Sequence, residues 1–331
     1  MKFGPVPLSQ AEGAILAHSV MAGGERLRKG ARLTAAQVQA LHEAGIDRVV
    51  VARLEGADLH EDAAAALLAE ALVPDPGPAH LSLSRAFTGR VNITATRPGV
   101  AELDVAALTA LNRVNPMMTL ATVPPWQQVA AGNMVATVKV ISYAVPESDL
   151  RRACAVARAA LRLRPVLLRS ASLIVTEIPG GVGDKGRQAI EGRLGALGMA
   201  LTDCRLVPHR SAELAEAISA ASGDLVLILT GSATSDPEDV APHALRRAGG
   251  TVERFGMPVD PGNLLFLGAL GGRPVIGLPG CARSPALNGA DWVLSRVACG
   301  LAVSSGDIAA MGVGGLLKEI PTRPMPRERR R

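Results

Sequence analysis

Three glycine-rich segments in the second half of the chain hold the residues best suited to chemistry. The first, residues 176–186, carries Thr176, Glu177, Asp184 and Lys185 among four glycines. It ends where a helix is expected, and free N–H groups with the positive end of a helix dipole favour an anion. It is not a P-loop, because Lys185 is followed by Gly186 and no hydroxyl is placed to hold magnesium. The second segment runs Thr230-Gly231-Ser232-Ala233-Thr234-Ser235 and then Asp236-Pro237-Glu238-Asp239. Its small residues would let a phosphate approach backbone N–H groups. Its carboxylates admit two readings: Asp236 caps a helix with Pro237 at the first position and Glu238 and Asp239 complementing the dipole, or Asp236 and Asp239, three apart, hold Mg²⁺ together with a phosphate ligand. The third segment is Gly277-Leu278-Pro279-Gly280-Cys281-Ala282-Arg283-Ser284. Gly280 and Ser284 suit close approach to a ligand, and Arg283 either contacts an anion or lies in solvent.

Other chemistries find little support. Cys154, Cys204, Cys281 and Cys299 form no C-x-x-C pair, and Cys204 with His209 is one isolated combination, so neither a zinc site nor a disulfide framework is indicated. Cys281 has no histidine nearby in sequence to activate it and reads as a small filler. His209 and His243 read as solvated residues, and Lys139 as an edge residue whose stem lies along an apolar strand. There is no G-x-S-x-G elbow, hence no hydrolytic triad.

The elements that must position these segments alternate. Strands are expected at 172–178, 201–207 and 225–230, with helices at 185–197 and 211–221 between them, which is the rhythm of βαβ units. A helix at 238–248, a strand at 251–255, a hairpin-like pair at 264–267 and 274–277, and a helix at 285–299 follow. Leu225 to Leu229 are apolar at every position, as in a parallel sheet covered on both faces. Ligands of such sheets sit at the carboxyl ends of the strands, where all three segments fall. The first half reads as a smaller α+β domain over 1–146, with helices at 34–44, 60–72 and 105–113 and strands at 48–51, 118–123 and 134–141. One long helix at 147–165 is expected as a linker, then the α/β domain at 166–303 and an extension at 304–331.

The chain has 331 residues, 48% of them hydrophobic and only 2% aromatic, so its core is aliphatic and it lacks the aromatic faces on which bases or sugars stack. The net charge of +5 is concentrated in one place. Residues 321–331 hold five arginines against Glu328, a net +4 that leaves +1 for the remainder. The expected body is nearly neutral, with a solvated basic tail and no nucleic-acid surface. No apolar stretch is long enough for a membrane span and no signal peptide is evident, so a cytoplasmic protein is expected.

In their order, Leu229-Thr230-Gly231-Ser232, then Ala248-Gly249-Gly250 through Phe255-Gly256-Met257 to Pro261-Gly262-Asn263, then Gly277-Leu278-Pro279-Gly280 resemble the molybdopterin-binding domain of molybdenum-cofactor synthesis, shared by molybdopterin adenylyltransferases and molybdotransferases. The resemblance covers roughly residues 168–300. The first half resembles the molybdotransferases in Arg28-Lys29-Gly30, Leu33-Thr34 and Val49-Val50-Val51. This implies a three-layer αβα domain with a mostly parallel sheet, preceded by a smaller α+β domain, and molybdopterin as ligand or substrate. It also implies insertion of molybdate into adenylated molybdopterin, with Asp239 and Asp236 holding Mg²⁺, Thr230 to Ser235 cradling the phosphate, Glu177 on the pterin edge, and Pro261, Gly262, Pro279 and Gly280 among the binding positions. Two alternatives stand beside it: a non-catalytic carrier that passes the cofactor to a cytidylyltransferase or a molybdoenzyme, and a nucleotide-binding or nucleotide-cleaving protein of the same fold. Related proteins imply a homo-oligomer. The family pattern Gly-Gly-x-Ser-x-Gly-Asp-x-Asp keeps only Gly231, the hydroxyl of Thr234 and Asp239 here, with Pro237 in place of the other aspartate. Asp260 and Asn263 stand where lysines are usual, and Cys281-Ala282 where Asn-Pro is usual.

Overall fold

A computed structural model describes residues 1–181 and 185–317. Two compact units emerge: Met1–Thr96, Ala101–Pro125 and Ala131–Leu163 form one, and Arg97–Val100, Trp126–Ala130 and the chain from Arg164 onward form the other. The basic tail at 321–331 and Asp184 lie outside the described residues.

The second unit is built on six strands: β1 (Ser170–Glu177), β2 (Ala200–Pro208), β3 (Leu225–Leu229), β4 (Thr251–Phe255), β5 (Phe266–Leu270) and β6 (Arg273–Leu278). Their order is β2-β1-β3-β6-β5-β4. The pairs β2/β1, β1/β3 and β3/β6 are parallel, while β5 is antiparallel to both its neighbours. Successive residues of a strand point to opposite faces, so an all-apolar strand needs a cover on each side. On one side Leu173, Val175, Leu227 and Ile276 pack with Ile190 and Leu194 of α1 (Arg187–Ala196), Val293 and Leu294 of α4 (Gly289–Ala298) and Ile308 of α5 (Ser305–Ala310). On the other, Ile174, Val226, Ile228 and Val275 pack with Leu214 and Ile218 of α2 (Ser211–Ala220) and Leu245 of α3 (Val240–Arg247). The result is the three-layer α/β arrangement expected from the alternation. Phe266 is the one aromatic among the largest fully buried side chains, and it faces Gly277 across the β5/β6 ladder. A Cβ on Gly277 would fall 1.9 Å from its ring, which explains a glycine in the middle of a strand.

Cys299, just after α4, is buried, and burial pushes its thiol up to about 11 from 9.0. A raised folded-state pKa means the unfolded chain ionises first. Stability from this group is therefore complete below pH 9 and is lost as the pH rises towards about 11. Urea unfolding at successive alkaline pH values is expected to show this fall in the wild type and a shallower one in Cys299→Ala.

The first unit is α+β, as expected. Helix Glu61–Leu72 packs on a four-stranded antiparallel sheet in the order Met118–Thr122, Met134–Val140, Arg90–Ala95, Leu81–Leu83. Lys2–Pro7, Arg48–Arg53 and Ile15–Leu16 make a second sheet beside helix Ala35–Glu43, which starts at the Thr34/Gln37 capping box.

Four sequence expectations are corrected. The long helix at 147–165 is instead a helix Glu147–Val156 and a strand Leu161–Pro165. Ala159 adopts φ 56°, which breaks the helix, and Leu161 and Leu163 are buried while Arg162 between them is exposed, a period of two. The helix at 285–299 starts only at Gly289, because the Asn288/Asp291 capping box sets its first turn and a 3-10 turn, Gly280–Arg283, precedes it. The helix at 238–248 begins at Val240 with Asp239, not Asp236, as its cap. The strands Arg90–Ala95 and Gly99–Leu103, not expected from the sequence, bring polar Asn92 and Glu102 into short runs held by pairing with neighbouring strands.

Candidate functional site

The loops that follow β1, β3 and β6 share the carboxyl end of the parallel strands, and two arginines organise them. Arg283, in the loop after β6, donates through Nη1 to the Lys185 carbonyl before α1 and through Nη2 to the Thr230 carbonyl after β3 at 2.9 Å. One guanidinium therefore ties all three loops, and its partial burial pushes its pKa down from the ordinary value. Gly186 makes this contact possible, because at φ 108° a Cβ there would lie 2.8 Å from Arg283 Cγ. Arg193 on α1 was not picked out by sequence reasoning. Its side chain is 8% exposed, and its Nε pairs with Asp291 Oδ1 at 2.5 Å. Nη1 reaches the carbonyls of Ala189 and Ala282, and Nη2 those of Ser284 and Ala286. All five guanidinium donors are thus used, four of them to hold the loop after β6 and the start of α4. Nothing in its helical surroundings separates it from a solvated arginine; the Asn288-x-x-Asp291 box was the one readable hint.

The loop after β3 is clamped at both ends. At its entrance the Gly231 N–H donates to Thr176 Oγ1 at 2.9 Å, and that hydroxyl also shares a 2.8 Å hydrogen bond with His209 Nδ1. His209 is itself held by its N–H to the Glu177 carbonyl at 2.9 Å. A Cβ on Gly231 would fall 2.7 Å from the Thr176 carbonyl, so only glycine passes this close. At its exit Asp239 accepts from Ser235 N through Oδ2 at 3.0 Å and from Val240 N through Oδ1 at 2.7 Å. Inside, Thr230 Oγ1 and Thr234 Oγ1 pair at 3.3 Å. Between the clamps the backbone N–H groups of Ser232, Ala233 and Thr234 have no acceptor among the described residues. Three consecutive unclaimed donors in one loop suit an anion.

The other expected site residues divide by burial. Glu177, Lys185, Ser232, Ser235, Asp236, Gly280 and Ser284 are exposed, and Gly231, Asp239 and Arg283 partly so. Thr176, Thr230, Thr234, Pro261, Gly262 and Pro279 are buried. The three threonines are fixed by the hydrogen bonds just given. Pro261 accepts from Gly289 N at 2.8 Å, and Gly262 lies so close that a Cβ would meet Gly289 N at 2.8 Å, so both support the start of α4. His209, read as solvated, belongs instead to the clamp.

The residues present do not fit a resident Mg²⁺. Both oxygens of Asp239 accept backbone N–H groups, and Asp236 Oδ1 accepts from Glu238 N at 2.8 Å. These carboxylates face the amide-rich, positive side of a helix start, which repels a cation. Among the described residues no group of three metal-ligating side chains converges.

Comparison with known proteins accords with this geometry. A family model described as a probable molybdopterin binding domain matches residues 166–296, and one described as a domain of unknown function matches residues 5–53. No curated protein matches. Among solved structures the chain is similar to a molybdopterin biosynthesis MoeA protein from Pyrococcus horikosii, at 14% identity and TM-score 0.32 over 90% of this chain and 75% of that one. It is also similar to the protein CinA, of unknown function, from Thermoplasma acidophilum, at 18% identity and TM-score 0.30 over 35% and 90%. A third is the molybdopterin biosynthesis enzyme MoaB from Thermus thermophilus, at 19% identity and TM-score 0.28 over 46% and 100%. The three-layer unit with its clamped loops coincides with the segment the first family model covers, and residues 166–296 are accordingly a domain of the probable molybdopterin-binding family.

Proposed function

We propose that the second unit binds molybdopterin, or a nucleotide form of it, and that it holds and hands over this ligand without transferring molybdate. The observation that carries the reading is the row of unclaimed N–H groups at Ser232, Ala233 and Thr234, which suits the ligand's phosphate. Arg283 sets the neighbouring loops and adds positive charge beside it. Glu177 is exposed at the end of β1, and in this reading it accepts N–H groups from the pterin edge. Carrier action is favoured over transfer by Asp239 and Asp236, whose oxygens hold loop amides. In a carrier, release would be to a partner enzyme, a nucleotidyltransferase or a molybdoenzyme.

The test is incubation of the full chain with adenylated molybdopterin, molybdate and Mg²⁺, following AMP release and retained pterin together. Retained pterin with no AMP, unchanged by a chelator, is the expected result. AMP release would establish a transferase, and failure to retain pterin would remove the assignment.

Asp239→Asn separates the two roles of that residue. Asparagine keeps one accepting oxygen to cap the helix but cannot accept from both Val240 N and Ser235 N. The exit clamp therefore loosens while one negative charge near the phosphate is lost. The two effects oppose, and affinity should stay within about threefold of wild type. Equilibrium dialysis with the pterin ligand measures this, and a metal-ligand role predicts a large loss instead.

A further inference from the structure

Thr176 is fully buried, and its hydroxyl has two partners among the described residues, the Gly231 N–H at 2.9 Å and His209 Nδ1 at 2.8 Å. The directions of these bonds follow from counting protons. A hydroxyl has one proton to donate and two lone pairs to accept with, and a backbone N–H can only donate. The Gly231 bond therefore runs into the oxygen, and the hydroxyl proton has Nδ1 as its acceptor. That requires a neutral ring with its proton on Nε2. If the ring takes a second proton, Nδ1 becomes a donor as well. Both partners then point hydrogens at Oγ1, and the hydroxyl proton is left in a buried place with no acceptor, which is costly to sustain.

A proton can reach the ring. His209 is partly exposed directly after β2 and is tied there by its own N–H to the Glu177 carbonyl at 2.9 Å. The charged residues beside it are Glu177 at the end of β1, Arg210, and Glu213 on α2, which pairs with Arg210 at 3.1 Å. Residues 230–235 of the loop after β3 carry no charge. Among these contacts the bond to Thr176 is the one whose direction must reverse when the ring is protonated. Its loss reaches the ligand loop at once, because Gly231 directly precedes the N–H groups of Ser232, Ala233 and Thr234.

We propose that His209 is a positioning residue that holds the ligand loop only in its neutral form, so that uptake of a proton at Nδ1 opens the entry clamp and releases the ligand. It acts through Thr176 and Gly231, and the release depends on this loop being the phosphate site inferred above. The sign is fixed by linkage. The clamped loop excludes the proton, so the hold is complete on the alkaline side and is lost as the pH falls through the range, about pH 5 to 8, in which histidines ordinarily change charge. A ring that merely lent positive charge to a nearby phosphate would give the opposite sign, with tighter binding in acid.

Two measurements on the full chain test this, one with ligand and one without. In equilibrium dialysis with adenylated molybdopterin, His209→Leu should bind weakly at every pH, because the hydroxyl has lost its acceptor. It also meets the same ionisation of the ligand without a titrating ring. Relative to this variant, wild type should lose roughly tenfold in affinity between about pH 7.5 and about pH 5.5. His209→Asn, whose amide oxygen can accept the hydroxyl proton and never takes one up, should recover part of the affinity lost in His209→Leu and show no extra fall in acid. Without ligand, the nitrogen NMR spectrum of the imidazole should show Nδ1 bare and Nε2 protonated on the alkaline side, and the Gly231 amide should lose protection from exchange in acid in wild type but not in His209→Asn. A neutral ring protonated on Nδ1, a wild-type affinity that falls no more than that of His209→Leu, or equal protection of Gly231 in wild type and His209→Asn would each overturn the proposal. Failure of every protein to bind the pterin at any pH would remove the ligand reading and with it the release, while the spectrum and the amide exchange still decide the clamp.

Discussion

Arg193→Met is expected to destabilise the second unit by about 3–5 kcal/mol, the usual result of removing one partner from a buried ion pair. The guanidinium pairs with Asp291 and collects the carbonyls of Ala189, Ala282, Ser284 and Ala286. Methionine fills much of the volume but leaves Asp291 Oδ1 without its charged partner, with only Oδ2 still held by Asn288 N, and three loop carbonyls without donors. Arg193→Lys should recover only part of the loss, because an ammonium is a compact point charge without the fork that reaches several carbonyls at once. Urea unfolding of the two variants measures the effect, and a loss under about 1 kcal/mol, the value of an exposed pair, would show that Arg193 does not hold the loop.

Thr176→Val should lower both stability and ligand affinity. The substitution keeps the shape of the side chain, and what disappears is the oxygen between Gly231 N and His209 Nδ1. Leaving the Gly231 N–H without an acceptor costs about 1–3 kcal/mol. Because Gly231 directly precedes the donors of Ser232, Ala233 and Thr234, the loop also loses its entry clamp, and affinity for a phosphate-bearing ligand should fall roughly tenfold. Thr176→Ser retains the hydroxyl and should behave nearly as wild type. Ligand protection against thermal unfolding reads the affinity separately from intrinsic stability. Equal protection in Thr176→Val and wild type would mean that the clamp supports the fold alone.

The candidate site was legible where local chemistry dictates backbone shape. Glycine at 186 and 231 and the run of small residues at 231–235 announce close approaches of backbone, and the structure uses them so. The segments were also correctly placed at the ends of the strands, because the alternation of apolar strands and helices is a local pattern. The cap was misplaced, at Asp236 rather than Asp239. Both aspartates suit a helix start, and the choice between them depends on which N–H groups the turned loop brings near each carboxylate. That Pro261 and Gly262 pack against the start of α4 at Gly289 was not legible, because that helix start is well separated from them along the chain.

By itself the amino-acid sequence determined the three-layer α/β unit, its aliphatic core, the α+β character of the first unit and the position of the glycine-rich loops at the strand ends. These follow from period, residue size and backbone preference, which act over a few residues and are written in order along the chain. Only the tertiary structure decided which polar groups remain available. The hydroxyl of Thr176 is occupied by Gly231 and His209, the carboxylates of Asp236 and Asp239 hold amides, Arg193 is buried under a loop whose Ser284 is 91 residues distant, and the N–H groups of Ser232, Ala233 and Thr234 find no acceptor among the described residues. The physical reason is that a hydrogen-bonding group is satisfied by whatever lies within about 3 Å of it in space, and that neighbour is set by the packing of the whole unit.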